Sequence, residues 1–434
     1  MNILHLARSE RFRRLSKEGF WIVLGQAIAV LGALVGVRLL TELLAPAAYG
    51  ELALGMTVAT LVNQTVLGPL GNGITRFYAP AVEKNDLSGY LGAASRLVLL
   101  ATGLIICMIL LTVGGLVIAG RMEWIPIATA ALIFAILSGY NSILSGIQNA
   151  ARQRSIAALH QGLESWTRFL GALALMVWLG ATSTVAMVGY ATGAILVLGS
   201  QCVFIRKTVP NEITQSNKGT NWQEQIRTYS WPFSIFGMFT WMQLASDRWA
   251  LGFFATTQEV GLYAVIFQLG YYPMSMATGM AMQFLTPIFF QRAGDGTDNR
   301  RTTNVNNLSW RLTGLALGVT CVTFMVTLLF HAQIFQVIVG KEYASVSHLL
   351  PWMLLAGGMF SAGQTITLNL ASQMKTLTMV APKIITALLG ITFNFACAYW
   401  YGTTGIVIAA LSFSVLYFLW MAVLAKREGG TQWF

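Results

Sequence analysis

Long apolar segments recur along the 434-residue chain, and they constrain its fold more than any other feature. Short polar breaks separate twelve such runs. A helix needs about twenty apolar residues to cross the core of a bilayer, so each run predicts one membrane-spanning helix. The predicted spans are 19–44, 51–80, 91–119, 124–148, 161–179, 182–205, 228–254, 260–290, 309–337, 346–374, 380–400 and 403–425.

The composition supports this interpretation. Only 10% of the residues are charged and 56% are hydrophobic, with a mean hydropathy of +0.64. A soluble domain usually carries about 25% charged residues. Alternating apolar segments of strand length are absent from the sequence, which argues against a transmembrane barrel. We therefore predict an all-α polytopic membrane protein without a separate soluble domain.

The net charge of +11 is explained by topology rather than by nucleic-acid binding. With a cytoplasmic N-terminus, nineteen lysines and arginines fall on the cytoplasmic side, against only Arg121 and Lys341 outside. Positive residues are retained on the cytoplasmic side of membranes, so both termini are predicted to lie there. We expect membrane lipids as partners and no nucleic acid. Residues 1–18 are predicted to form a cytoplasmic amphipathic segment.

An internal repeat divides the spans into two sets of six. Arg38 and Gly50 correspond to Arg248 and Gly261, and "VIAGR" at 117–121 corresponds to "VIVGK" at 337–341. The Leu179-Gly180 turn corresponds to Tyr401-Gly402. The matches fall at predicted outer turns and indicate a duplicated six-span unit. The predicted parts are an N-lobe at 19–205, a cytoplasmic linker at 206–227, a C-lobe at 228–425 and a tail at 426–434.

Because six is even, both copies begin on the same side of the membrane. Such copies are related by a pseudo-two-fold axis along the membrane normal, an arrangement that is typical of alternating-access transporters. Two spans should also be kinked. The expected kink residues are Gly68, Pro69, Gly71 and Gly73 in "GPLGNG", and Pro273 in the eighth span.

Six arginines lie within or at the edges of predicted spans: Arg38, Arg76, Arg96, Arg168, Arg248 and Arg311. A charge at the bilayer centre costs about 2.5–3.5 kcal/mol on insertion scales. Arg96 and Arg311 lie near cytoplasmic ends, where their side chains can reach water. Glu42 lies four residues after Arg38 and Glu164 four residues before Arg168, a spacing that permits local ion pairs.

A cavity-facing role is the alternative for Arg38, and it is the preferred role for Arg76, which has no acidic residue three or four positions away. Adjacent helical residues point in different directions, so we expect Asp247 and Arg248 to pair across helices or with a ligand. Uncharged polar side chains in spans either bond between helices or line the same cavity. The candidate substrate-binding residues are Arg76, Arg248, Arg38, Asp247, Gln26, Asn63, Gln64, Gln243 and Gln268.

Neither a cofactor nor a metal is expected. The four cysteines are far apart, without CxxC spacing, and the four histidines show no ligand spacing. These patterns indicate neither a disulfide framework nor a zinc site.

Several segments carry a family resemblance. "LAPAAYGELAL", "GPLGNGITRFYAP", "DRWALGFFATTQEVGLYAV", "VIVGKEYASVSHLLPWMLLA" and "WYGTTGIVIAALSFSVLYF" resemble polysaccharide transporters of the MOP superfamily, the Wzx-type flippases. The resemblance implies a twelve-span, two-lobed flippase for oligosaccharide units carried on undecaprenyl diphosphate, acting in O-antigen, capsule or exopolysaccharide assembly. It also implies a cationic cavity, to which Arg38, Arg248 and Arg76 would contribute. Polysaccharide polymerases and other assembly proteins are candidate partners.

Other functions remain open from the sequence. A lipid II flippase usually has extra spans, and a multidrug exporter of the same superfamily would usually place carboxylates in its cavity. A membrane polymerase or ligase needs a large outer loop with catalytic groups, whereas the predicted outer loops are about three to seven residues long, which disfavours an enzyme.

Overall fold

The computed structural model describes residues 24–208, 221–293, 299–373 and 377–428. All regular secondary structure among these residues is helical, and we number its twelve long helices in chain order. The first six are α1 Leu24–Leu43, α2 Pro46–Glu83, α3 Leu87–Ile118, α4 Ile125–Ala150, α5 Arg154–Leu179 and α6 Ser183–Thr208.

The remaining helices follow the same order of spans as the sequence predicts. They are α7 Trp222–Phe254, α8 built from Thr257–Ile266, Phe267–Tyr271 and Tyr272–Ala293, α9 Asn299–Ile338, α10 Leu350–Ser372, and α11 and α12, the two parts of Val380–Glu428 on either side of Gly402. The all-α polytopic fold predicted from the sequence is confirmed. Several helices begin before their apolar runs, and the differences are largest for α5, which begins at Arg154, and α9, which begins at Asn299, because polar residues extend them.

Among the described residues, seven helical segments are long and apolar enough to cross a membrane. They are α1, α2, the 122–150 segment that contains α4, α3, α6, α9 without its first residue, and the 381–427 segment that covers most of α11 and α12. The other four long helices, α5, α7, α8 and α10, are not among these segments.

The described residues form two compact units. One contains 24–44 and 51–241, and the other contains 45–50 and 242–428, within the described ranges. In the first unit, α6 packs along α4 and α5, and α2 packs along α4. In the second unit, α10 is central and packs against α8, α9 and the segment that contains α11 and α12.

The first half of α7 is anchored in the first unit. The indole nitrogen of Trp222 donates to Asp86 Oδ2 at 2.7 Å, and the indole nitrogen of Trp241 donates to the carbonyl of Thr57 at 2.7 Å. Asp86 also caps α3 by accepting from the backbone N–H of Gly89. Trp222 and Asp86 are both buried. These bonds fix the start of α7 beside the turn between α2 and α3.

The second helix of each unit contains a π-helical turn followed by a proline. In α2 the turn is Asn63–Leu67 and Pro69 follows it; in α8 the turn is Phe267–Tyr271 and Pro273 follows it. A proline removes a backbone donor and clashes with the preceding turn, and a π turn supplies the extra room. The repeat therefore extends to a matching backbone irregularity, although α2 has seventeen residues before its turn and α8 has ten.

The sixth helix of each unit starts in a similar way. Gly180 and Gly402 precede α6 and α12 with φ of 99° and 53°, a backbone conformation that favours glycine. In the first unit, the hydroxyl of Ser183 donates to Glu51 Oε2 at 2.6 Å. In the second, the backbone N–H of Thr403 donates to Glu259 Oε2 at 2.8 Å. Each second helix thus supplies a carboxylate to the beginning of the sixth, where negative charge is favourable.

Three predicted parts fall wholly or partly outside the described residues. They are the amphipathic segment 1–18, the middle of the linker at 209–220 and the end of the tail at 429–434.

Candidate functional site

A polar cluster of the second unit surrounds Asp247 and Arg248 near the end of α7. Asp247 Oδ1 accepts from the backbone N–H of Arg248 at 2.7 Å and from Arg248 NH1 at 3.3 Å. Asp247 Oδ2 accepts from the hydroxyl of Tyr263 on α8 at 2.6 Å. The side chains of Arg248 and Asp247 are 15% and 9% exposed. One carboxylate therefore holds three donors in a largely buried position.

Aromatic rings cover the guanidinium of Arg248. Its central carbon lies 4.5 Å from the ring centroid of Phe267 and 5.9 Å from that of Tyr263. Both rings come from α8, and the cation is attracted to their electron-rich faces. Tyr263 and Phe267 are functional candidates that sequence reasoning missed, since each looks like an ordinary apolar position of its span. Their separation of four residues, on one helix face, was the available signal.

Asp247 and Arg248 do pair with each other, contrary to the expectation that neighbours on a helix would not. The reason is the length of the arginine side chain, which bends back along α7 so that NH1 also donates to the carbonyl of Leu244 at 3.1 Å. The expected bond across helices is also present, between Asp247 and Tyr263.

A narrow cleft opens beside this cluster. It encloses about 50 Å³ and has mixed walls: Gln243, Asp247 and Asn394 contribute polar atoms, and aromatic rings form much of the remainder. Asn394 also donates to the hydroxyl of Ser246 at 2.9 Å. Such a lining suits a ligand that presents polar groups beside apolar surface. The lining residues are Gln243, Leu244, Asp247, Tyr263, Phe267, Tyr271, Phe360, Gly390, Asn394, Ala410 and Phe413.

Arg38 and Arg76 lie in different settings. Arg38 NH2 is 2.8 Å from Glu42 Oε2, with side chains 37% and 54% exposed, which is the local ion pair that the spacing permits. Arg76 is exposed on α2, in the first unit. The cavity-facing roles of both arginines stay predictions.

Arg168 differs from the local pair considered for it. No salt bridge joins it to Glu164 among the described residues. Instead its guanidinium lies 4.7 Å from the ring centroid of Phe169 and 5.2 Å from that of Tyr190. The two rings lie against the guanidinium, and Glu164 interacts with it electrostatically without forming a salt bridge. This contact supports a structural role at the packing of α5 against α6.

The remaining polar candidates are dispersed. Asn63 donates to the hydroxyl of Ser138 on α4 at 3.0 Å, the helix-to-helix bond that was the alternative to cavity lining. Gln64 follows it in the same π turn, and Gln268 lies in the corresponding turn of α8. Gln26 is partly buried on α1. Of the uncharged candidates, only Gln243 lines the cleft beside Asp247 among the residues described.

The predicted kink residues lie at or just after the two π turns. Gly68 and Pro69 begin the helical segment that follows the turn in α2, and Gly71 and Gly73 lie one turn further along. Pro273 is the second residue after the turn in α8. No group of three or more potential metal ligands from histidine, cysteine, aspartate and glutamate occurs in the described part of the chain.

Solved structures identify the fold. The chain is similar to a multidrug resistance MATE family transporter of the MOP superfamily in its inward-facing conformation, with 14% identity, a TM-score of 0.68, and 95% of this chain and 100% of that chain covered. It is also similar to the lipid II flippase MurJ in an inward closed conformation, with 14% identity, a TM-score of 0.69, and 93% and 87% covered. At these identities the likeness shows the fold, which is that of multi-pass MOP-superfamily proteins.

The family follows from a more direct match. The polysaccharide biosynthesis protein family matches residues 15–292, more than half of the chain, and the chain belongs to that family. This membership confirms the resemblance seen in the sequence. The family and the solved neighbours are transporters and flippases rather than enzymes. No curated protein matches the chain.

Proposed function

We propose that this protein is a flippase for oligosaccharide units linked to undecaprenyl diphosphate. It moves the head group from the cytoplasmic to the outer leaflet of the bacterial inner membrane by alternating access, with both termini cytoplasmic. The product feeds O-antigen, capsule or exopolysaccharide assembly. Membership of the polysaccharide biosynthesis protein family supports the substrate class, and the MOP fold supports transport.

The observation that carries the proposal is the state of Arg248. Its guanidinium lies among aromatic rings in a helix that the sequence predicts to span the membrane, and within the described residues its side-chain hydrogen bonds are made by NH1 alone. The Nε and NH2 donors can therefore bind an additional oxygen ligand. A planar guanidinium forms paired, charge-assisted bonds with phosphate oxygens, and it keeps its charge in an apolar environment.

The proposed ligand is also consistent with the energetics of the membrane. An interior-negative potential favours outward movement of an anion by about 2.3 kcal/mol per charge per 100 mV. A diphosphate head group would gain several times RT from this potential. Arg248 would compensate the charge of the head group in the low-dielectric interior, where an unpaired anion is costly.

The decisive test is the lipid-linked oligosaccharide profile of a deletion strain. Loss of the flippase should cause undecaprenyl-diphosphate-linked units to accumulate on the cytoplasmic leaflet, with loss of the surface polymer. Restoring the gene should clear the intermediate. Unchanged lipid-linked oligosaccharides together with unchanged polymer would refute the proposal.

Lipid II translocation is a second candidate because the fold also matches MurJ. Drug export is a third because it matches a multidrug transporter. The same deletion strain separates these functions. Accumulated lipid II with a peptidoglycan defect would identify a lipid II flippase. Increased drug susceptibility with normal polymer would identify a drug exporter.

A further inference from the structure

We propose that Tyr263 is a positioning residue that determines how strongly Asp247 competes with the transported head group for Arg248. This inference rests on the proposed function, in which Arg248 binds the diphosphate. Tyr263 and Asp247 affect the ligand only through Arg248. Tyr263 is 1% exposed, and its hydroxyl donates to Asp247 Oδ2 at 2.6 Å.

The bond from Arg248 NH1 to Asp247 is longer than the two other bonds that the Asp247 carboxylate accepts, from the backbone N–H of Arg248 and from the hydroxyl of Tyr263. NH1 lies 3.3 Å from Oδ1, an oxygen that already accepts the backbone N–H of Arg248 at 2.7 Å. The other oxygen accepts from Tyr263. Charge-assisted N–H to carboxylate bonds are usually about 2.7–2.9 Å long, and the strongest arginine–carboxylate pairs are bidentate. Occupation of Oδ2 by the tyrosine therefore leaves Arg248 with a one-sided, long contact.

Removing the tyrosine hydroxyl should change this balance. Asp247 Oδ2 would be a buried carboxylate oxygen without its donor, and such an atom is strongly destabilised until it finds another. Arg248 is the nearest cation, and its Nε and NH2 groups can supply that donor. The ion pair would become bidentate, and the arginine would be withdrawn from the head group.

Phe267 packs against the guanidinium of Arg248 and holds it in place. Its ring lies under the guanidinium at 4.5 Å and offers attraction without a hydrogen-bond acceptor that would occupy the arginine donors. The guanidinium can thus remain in place while its bonds are exchanged between Asp247 and a phosphate.

The test measures the affinity of full-length protein in lipid nanodiscs for geranylgeranyl diphosphate, a short polyprenyl diphosphate. We expect Tyr263→Phe to weaken binding by about tenfold, which corresponds to the loss of one charge-assisted bond to the ligand. Asp247→Asn should bind the probe as tightly as the unaltered protein or more tightly, because the competing charge is removed. Adding Asp247→Asn to Tyr263→Phe should restore binding.

Tyr417→Phe is the matched control. Tyr417 is a buried tyrosine of the same unit, and its hydroxyl lies 2.9 Å from that of Thr367, a neutral partner. Its loss should leave the affinity unchanged. Unfolding midpoints of Tyr263→Phe and of the double variant, measured in the same nanodiscs, separate positioning from a structural defect. A positioning role predicts weaker binding by Tyr263→Phe at a midpoint close to that of the unaltered protein, and a lost midpoint that returns together with binding in the double variant would overturn it.

The outcomes are distinct. Equal probe binding by Arg248→Ala and the unaltered protein would count against the proposed function itself. Arg248-dependent binding with normal affinity in Tyr263→Phe would overturn only the role of Tyr263. Weaker binding in Asp247→Asn alone would also overturn it, because Asp247 would then assist the arginine rather than compete for it.

Discussion

Gly50 and Gly261 face each other where α2 and α8 begin, and neither position has room for a side chain. A Cβ on Gly50 would collide with the carbonyl of Thr257, and a Cβ on Gly261 would collide with that of Pro46. Each Cβ would also approach the backbone nitrogen of the opposite glycine. Both residues lie in the second unit, and they occupy corresponding positions in the internal repeat.

We therefore predict that Gly50→Ala and Gly261→Ala destabilise the protein. The clash is with backbone on both sides, so the helices must separate, and overpacking of this kind costs about 1–3 kcal/mol or more. Thermal unfolding in detergent should show a clearly lowered midpoint. Gly279→Ala is the control on α8, because nothing lies within 4 Å of its added methyl. A normal midpoint in both glycine variants would contradict the close approach.

Glu259 should stabilise the start of α12. Its Oε2 accepts from the backbone N–H of Thr403 at 2.8 Å and from the hydroxyl at 3.0 Å. Glu259→Gln keeps an acceptor but loses the charge, and should cost about 1 kcal/mol; Glu259→Ala loses both and should cost about 2 kcal/mol. Unfolding midpoints should rank in that order. Glu83→Ala, at an exposed position, is the control and should leave the midpoint unchanged. Equal midpoints for all three variants would show that Glu259 does not stabilise the start of α12.

Arg248 should be needed for transport in a way that Arg311 is not. We expect Arg248→Ala to reduce polymer export by at least about tenfold, and Arg248→Lys to recover only part of it, because lysine lacks the planar fork. Arg311→Ala removes the same charge from an exposed position on α9 and should export normally. The measurement is surface polymer in the complemented deletion strain, with membrane protein levels matched. Full export by Arg248→Ala would count against the assignment.

The two prolines after the π turns should matter for function more than for stability. Proline is about 3 kcal/mol less favourable than alanine inside a helix, so Pro69→Ala and Pro273→Ala should maintain or raise the unfolding midpoint. Alanine restores a backbone donor, which allows the wide turn to tighten and displaces the segment that follows it. Polymer export should fall because this displacement changes the irregular helix that transport uses. A lower unfolding midpoint together with normal export would contradict this prediction.

The positions of the helices could be predicted from the sequence because apolarity and span length are set by the bilayer. The predicted ends differ most where polar residues continue a helix, as before residue 309 in α9. Apolarity marks where a helix enters lipid, and it does not mark where hydrogen bonding begins.

The site was only partly predictable. Arg248 and Asp247 were selected because charges are costly in spans, a rule that needs no tertiary information. Tyr263 could not be assigned, since its bond to Asp247 depends on how α8 packs beside α7. Pro69 and Pro273 predict irregular helices, but the choice of a π turn depends on neighbouring helices as well.

Because the first half of α7 is anchored in the first unit, the boundary between the two packing units differs from the boundary of the repeat. The repeat places the junction between its copies at 206–227, whereas the packing boundary falls between Trp241 and Met242, inside one continuous helix. Trp222 and Ile226 are buried with the first unit, although they follow most of that junction. A fragment that ends before Trp222 would therefore lack buried side chains of its own unit, and a stable first unit should require the chain through Trp241.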